Sequence, residues 1–147
     1  MKQKIKFLLA TIMMLVGITA QAATSTVTWY ASDIVAEEGD ITFTKYGITF
    51  APGEADFDLK NFSGGGTFTT ASGKFTKIEV AAPYVNISGT GWTDGTSLGM
   101  AGYNWTGNAS SVSYSGEIQD NDFGELMIVF TIEESVAAKE GAVACEY

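Results

Sequence analysis

Short alternations of apolar and polar residues, with no helical stripe of useful length, organise this chain. From Trp105 to Tyr114 it reads Trp-Thr-Gly-Asn-Ala-Ser-Ser-Val-Ser-Tyr. An aromatic residue and a Gly-Asn turn lead into a stretch where Val112 and Tyr114 alternate with Ser113 and Ser115, the pattern of a half-buried strand. Two other segments are equally strand-like, Phe75-Thr76-Lys77-Ile78-Glu79-Val80 and Leu126-Met127-Ile128-Val129-Phe130-Thr131-Ile132. In the latter, Leu126, Ile128, Phe130 and Ile132 share one face and Met127 and Val129 the other, which predicts a central strand buried on both sides.

The remaining segments fit the same scheme. Thr26-Val27-Thr28-Trp29-Tyr30 is β-branched and aromatic and predicts a first strand. Ser32-Asp33 can cap a short helical turn through Val35-Ala36-Glu37-Glu38, stopped by Gly39-Asp40. Ile41 to Phe50, interrupted at Tyr46-Gly47, predicts a bulged strand or a tight hairpin, and Pro52-Gly53 ends it. Phe57 and Leu59 alternate with Asp56, Asp58 and Lys60; Ser63 to Gly66 is a turn; Thr67 to Thr70 and Lys74 to Val80 are strands; Pro83 then precedes a strand beginning at Tyr84, with Val85 and Ile87 on one face. Ser88 to Gly107 is rich in glycine and predicts a long connection, the kind of segment that is often functional.

About eight to ten short strands at this spacing predict an all-β domain, a two-sheet antiparallel β-sandwich of jelly-roll type, with an up-and-down β-barrel as the alternative.

The two ends differ from the middle. Lys2, Lys4 and Lys6, an apolar run from Phe7 to Ile18 and the small-x-small site Ala20-Gln21-Ala22 form the layout of a secretory signal peptide, with cleavage expected after Ala22. The run is too short to span a bilayer, so no membrane span is expected. The division is then residues 1–22 signal peptide, 23–134 β-sandwich domain and 135–147 a C-terminal tail. The destination is secreted or periplasmic, with attachment to the cell surface through contacts, since the only cysteine, Cys145, is not placed for a lipid anchor.

Removing residues 1–22 takes three of the eight lysines and none of the seventeen acids, moving the formal net charge from −9 to −12. Such a chain repels nucleic acid and anionic lipid. Histidine is absent, which excludes Ser-His-Asp and Cys-His machinery and His-based zinc or copper sites. All eight basic residues are lysines, so no guanidinium clamp for phosphate or carboxylate is available. A single cysteine excludes an internal disulfide, and the fold must rest on its apolar core.

The series Phe75 to Val80, Ser88-Gly89-Thr90-Gly91-Trp92, Trp105 to Val112 and Ile128 to Glu133 resembles the small extracellular β-sandwich domains of secreted and surface proteins of Bacteroidota. The resemblance covers roughly Gly66 to Glu133. It implies a bacterial exported protein with a jelly-roll-like domain and no activity that transfers with the family. The tail after Glu133 departs from that pattern.

Candidate chemistry concentrates in the glycine-rich segment. Trp92, Tyr103 and Trp105 stand near Asp94, Asn104 and Asn108; exposed aromatic faces stack on sugar rings while Asp and Asn side chains bond hydroxyls. Trp92, Asp94, Tyr103, Trp105 and Asn108 are therefore the candidate ligand-binding residues of a non-catalytic binding module for a polysaccharide or a surface protein. The competing reading buries both tryptophans as caps on the sandwich core. The alternative function is a structural or protein-interaction component of the envelope, joined through a long unprotected edge strand such as Thr26–Tyr30. Asp120-Asn121-Asp122 and Asp56-Phe57-Asp58 lack the spacing of a calcium loop, and no cofactor or metal is expected. Glu117 and Glu125 flank one turn but lack walls for a cleft, so no catalytic residues are expected.

Overall fold

The computed structural model describes residues 22–34, 41–53, 64–121 and 124–134. The expected signal peptide, the helical turn from Val35, the Phe57–Phe62 segment, Asp122 and the tail lie outside these residues.

Among the described residues, ten strands form two antiparallel sheets of five. In chain order they are β1 (Ala23–Tyr30), β2 (Phe43–Lys45), β3 (Ile48–Pro52), β4 (Gly66–Thr70), β5 (Lys74–Ala81), β6 (Tyr84–Ser88), β7 (Trp92–Ser97), β8 (Met100–Ala109), β9 (Ser111–Gln119) and β10 (Met127–Glu134). One sheet runs β1-β10-β5-β8-β7 and the other β2-β3-β4-β9-β6. The sheets are not closed on one another, so the barrel alternative falls. The interleaving of first and last strands, β1-β10-β5-β8 over β4-β9-β6, is the jelly-roll arrangement, extended by the β2–β3 hairpin and by β7.

The period-2 pattern sets which side chains meet. Trp29, Phe75, Ile78, Val80, Ile128, Phe130 and Ile132 from the first sheet meet Ile48, Phe50, Phe68, Val112, Tyr114 and Ile118 from the second in one core. Trp29, fully buried, sits edge-on to Phe43 and Phe130 with ring centroids 4.9 and 5.0 Å away. Its indole N–H donates to the Lys45 carbonyl at 3.3 Å, so the aromatic body packs while the polar tip is satisfied.

The structure decides between two alternatives at one turn and corrects two local expectations. The Tyr46-Gly47 interruption is a tight hairpin turn rather than a bulge, with both residues at positive φ (53° and 77°), as a twist-matched two-residue loop requires. The Gly107-Asn108 pair lies inside β8, and the reversal into β9 falls at Ser110. Strand β10 is interior to its sheet, between β1 and β5, but only one of its faces is fully buried; Met127, Val129 and Thr131 are half-buried on the outer face. A sandwich has one core, so the outer face of even a central strand meets water.

Candidate functional site

The segment expected as a long connection is itself sheet. β7 and β8 form a hairpin through Leu98-Gly99, with pairs Trp92↔Trp105, Asp94↔Tyr103 and Thr96↔Ala101. Glycines and small polar residues weaken the strand signature, yet neighbouring β5 supplies the apolar partners that hold the hairpin: Ile78 pairs with Trp105 and Val80 with Tyr103. Directly paired residues of an antiparallel ladder share a face. Trp92, Asp94, Tyr103 and Trp105 therefore come together on the core side of the sheet, beside its β7 edge.

That placement consumes most of the aromatic surface. Trp105 is 7% exposed, and its indole N–H donates to the Thr90 carbonyl at 3.2 Å. Gly91 makes room: its φ is +85°, and a Cβ there would lie 2.6 Å from Trp105 Nε1. Trp92 is half-buried, stands edge-on to Tyr114 at 6.1 Å, and donates its indole N–H to the Ser113 carbonyl of the opposite sheet at 3.0 Å. Half-buried Tyr103 donates its hydroxyl to Asn86 Oδ1 on β6 at 3.4 Å. Asp94 is exposed. These contacts pin the β7–β8 hairpin to β6 and β9.

Asn108 is set apart. Three residues beyond Trp105, it falls on the opposite face of β8 by ordinary alternation, next to the bulge between the Phe75↔Ala109 and Lys77↔Thr106 pairs. It lies about 16 Å along the strand from Tyr103 at ordinary strand rise. There it lines a hollow of about 540 Å³ with Ser72, Lys74, Glu133 and Glu134. Asn104 faces outward, where its Oδ1 accepts the Ser97 hydroxyl at 3.3 Å. A second open hollow, about 390 Å³, runs along β9 between Gly89-Thr90 and the serines 111, 113 and 115, with parts of Trp105 and Tyr114 in its wall. Burial pushes the Tyr114 hydroxyl well above the usual phenol range, so this wall stays neutral.

The described acids of the acidic turns are engaged in local hydrogen bonds. Among the described residues no group of three His, Cys, Asp or Glu side chains could hold a metal ion. Asp120 Oδ1 accepts the Leu126 backbone N–H at 2.9 Å, and Glu125 Oε2 accepts from Asn121 Nδ2 at 2.6 Å. Neither Glu117 nor Glu125 lines either hollow. Asp56, Asp58 and Asp122 lie outside the described residues.

The sheet edges differ in how they are guarded. β2 is three residues long and carries Lys45; β7 turns Asp94 toward the core side and contains Gly95; five-residue β6 follows Pro83 and is held by Tyr103 through Asn86. Short length, lysine and inward charge are the usual protections of an exposed edge. β1 has none of them. Its eight residues, Ala-Thr-Ser-Thr-Val-Thr-Trp-Tyr, contain no charge, proline or glycine and pair without a bulge to β10 alone among the described residues.

The ladder parity of β1 follows from its end. Tyr30 pairs with Met127, and the next residue, Ala31, donates its N–H to the Leu126 carbonyl at 3.0 Å. Hydrogen-bonded pairs alternate along an antiparallel ladder, so the odd residues from Ala23 to Trp29 bond to β10. Thr24, Thr26, Thr28 and Tyr30 then turn their N–H and C=O groups to the open side. The Tyr30 N–H indeed points away from β10 and is taken by Asp33 Oδ2 at 3.0 Å. Asp33 in turn pairs with Lys45 at 2.9 Å, closing the edge at Tyr30, while no strand among the described residues pairs with the open side of Thr24 to Thr28.

Comparison with protein-family models, with curated proteins and with solved structures returned no match.

Proposed function

We propose that this chain is an exported, non-catalytic interaction protein of the bacterial envelope or extracellular matrix that works through strand addition at β1. The observation that carries the reading is the contrast between edges: β1 alone among the four combines length, neutrality and unguarded backbone groups. An added strand gains main-chain hydrogen bonds there without displacing anything in the core. The signal-peptide layout supports export, and cleavage after Ala22 makes β1 the first structured element of the processed chain.

A photo-crosslinking side chain at exposed Thr24, in producing cells, tests the reading. Protein adducts should form there and vanish when Thr26→Pro is added, because proline at position 26 removes an outward N–H and spares the β10 ladder. No adduct at Thr24, or adducts indifferent to Thr26→Pro, would refute it.

The hydroxyl-lined hollow beside Gly89-Thr90 favours a second reading, a polysaccharide contact. It differs from the expected stacking platform, because Trp105 would form part of its wall and Trp92 does not line it. Protection of tryptophan emission from acrylamide by one polysaccharide, abolished by Ser113→Trp in the hollow, would favour this reading.

A further inference from the structure

The open part of β1 reads Thr24-Ser25-Thr26-Val27-Thr28. Its outward-facing set is threonine three times over, so a second copy paired antiparallel about Thr26 sets threonine against threonine at each position. We propose that the occupant of this edge is β1 of a second copy, related by a two-fold axis through Thr26. The inference rests on the strand-addition reading and names its partner.

Parity narrows the register, and the threonine repeat selects its centre. A continuous sheet keeps each face on one side, so odd residues must oppose odd and even oppose even. Centring on Thr26 gives the pairs Thr24 with Thr28 of the second copy, Thr26 with Thr26, and Thr28 with Thr24. These are the three positions whose backbone groups point outward, so each becomes a hydrogen-bonded pair exchanging two bonds. Opposed threonines are favourable cross-strand neighbours. On the other face Ser25 meets Val27. The interface is isologous, and two five-stranded sheets merge into one.

β1 shares its neutrality with edge strand β6 but is longer, eight residues against five. Each chain has a net charge of −9, or −12 after loss of residues 1–22, so copies repel wherever acids face one another. β1 carries no charge; among the described residues the acids beside it are Asp33, paired with Lys45 beyond Tyr30, Glu134, which accepts the Ser72 hydroxyl opposite Ala23, and Glu133, which stands on β10 between Thr24 and Lys74. A neutral five-residue window lets a second copy of a strongly acidic molecule pair there without setting strand charges against one another. Tyr30, 54% exposed on the outward face of this strand, lies diagonal to Thr24 of the second copy and can cover it.

The test uses charge at the symmetry axis. Thr26 is exposed, so Thr26→Lys and Thr26→Glu leave the core alone, which an unchanged near-ultraviolet spectrum will verify. In the dimer each substitution sets like charges directly opposite. Sedimentation of the chain purified after export should show a concentration-dependent dimer. Either variant alone should dimerise about tenfold or more weakly, and an equimolar mixture should recover a Lys–Glu heterodimer.

A monomeric wild-type chain, or variants that dimerise unchanged, would overturn the proposal, as would a mixture that fails to recover. The Thr24 crosslink separates this failure from that of the parent reading. Adducts containing only other proteins retain strand addition and eliminate the second copy, whereas the absence of adducts eliminates both.

Discussion

Trp92 and Trp105 stand opposite one another across the β7–β8 ladder, and each spends its indole N–H on a backbone carbonyl, Ser113 and Thr90 respectively. The pair is a fastening between the two sheets at the β7 edge. Trp105→Ala should cost about 3–5 kcal/mol, as for a large buried aromatic, and Trp92→Phe about 1 kcal/mol for the lost bond to Ser113. Chemical denaturation measures both. With Trp29 and Trp105 buried and Trp92 half-buried, native emission should be blue-shifted and quenched far less by acrylamide than after unfolding. Red-shifted, fully quenchable native emission would contradict this placement.

Gly91 should tolerate no side chain. Its positive φ and the 2.6 Å approach of Trp105 Nε1 act together, and Gly91→Ala should lose about 1–3 kcal/mol. Gly99 also has positive φ but faces open space, so Gly99→Ala should cost less. The difference in denaturation midpoint between these two variants separates crowding from backbone strain.

The Asp33–Lys45 pair gives stability a defined pH signature. The hydrogen bond from Lys45, then that from the Tyr30 N–H, lowers the Asp33 pKa below the usual carboxylate value. A depressed carboxylate pKa contributes stability above the unfolded-state pKa, near 4, and loses it as pH falls through the folded-state value. Asp33→Asn should therefore lower the melting temperature relative to wild type at pH 6 and match it more closely at pH 2. Lys45, raised chiefly by its bond to Asp33, adds stability that is present at neutral pH and lost on the alkaline side, above its ordinary value near 10.4.

Self-association through β1 should strengthen with salt. Two acidic copies repel at long range, and screening removes that cost while leaving the backbone bonds of the neutral window intact. The dimer dissociation constant should fall between about 0.05 and 0.5 M sodium chloride. A dissociation constant that rises over this range would mark an ion-paired interface elsewhere on the surface.

How far the sequence reveals this molecule depends on which residues carry the pattern. Phe75 to Val80, Val112 to Tyr114 and Leu126 to Ile132 advertise their strands because every second side chain is apolar. β7 conceals itself, since Thr93, Asp94, Gly95 and Thr96 offer no alternation and the strand exists by pairing with β8. The candidate cluster was legible in part. Spacing of two puts Tyr103 and Trp105 on one face and the odd spacing to Asn108 puts that residue on the other, but which face points to the core is decided by β5. The edge position of Thr26–Tyr30 follows from β10 pairing on one side only, a long-range fact. Its neutrality, and the Thr24-Thr26-Thr28 repeat, were in the sequence throughout.

The most direct measurement is amide hydrogen exchange along β1 in dilute and concentrated solution. At low concentration the amides of Ser25, Val27 and Trp29, bonded to β10, should be protected, while those of Thr24, Thr26 and Thr28 exchange as open groups. Raising the concentration should protect the three threonine amides and leave their neighbours unchanged. Uniform protection of all six amides at low concentration would show that the edge is already covered and would contradict the account.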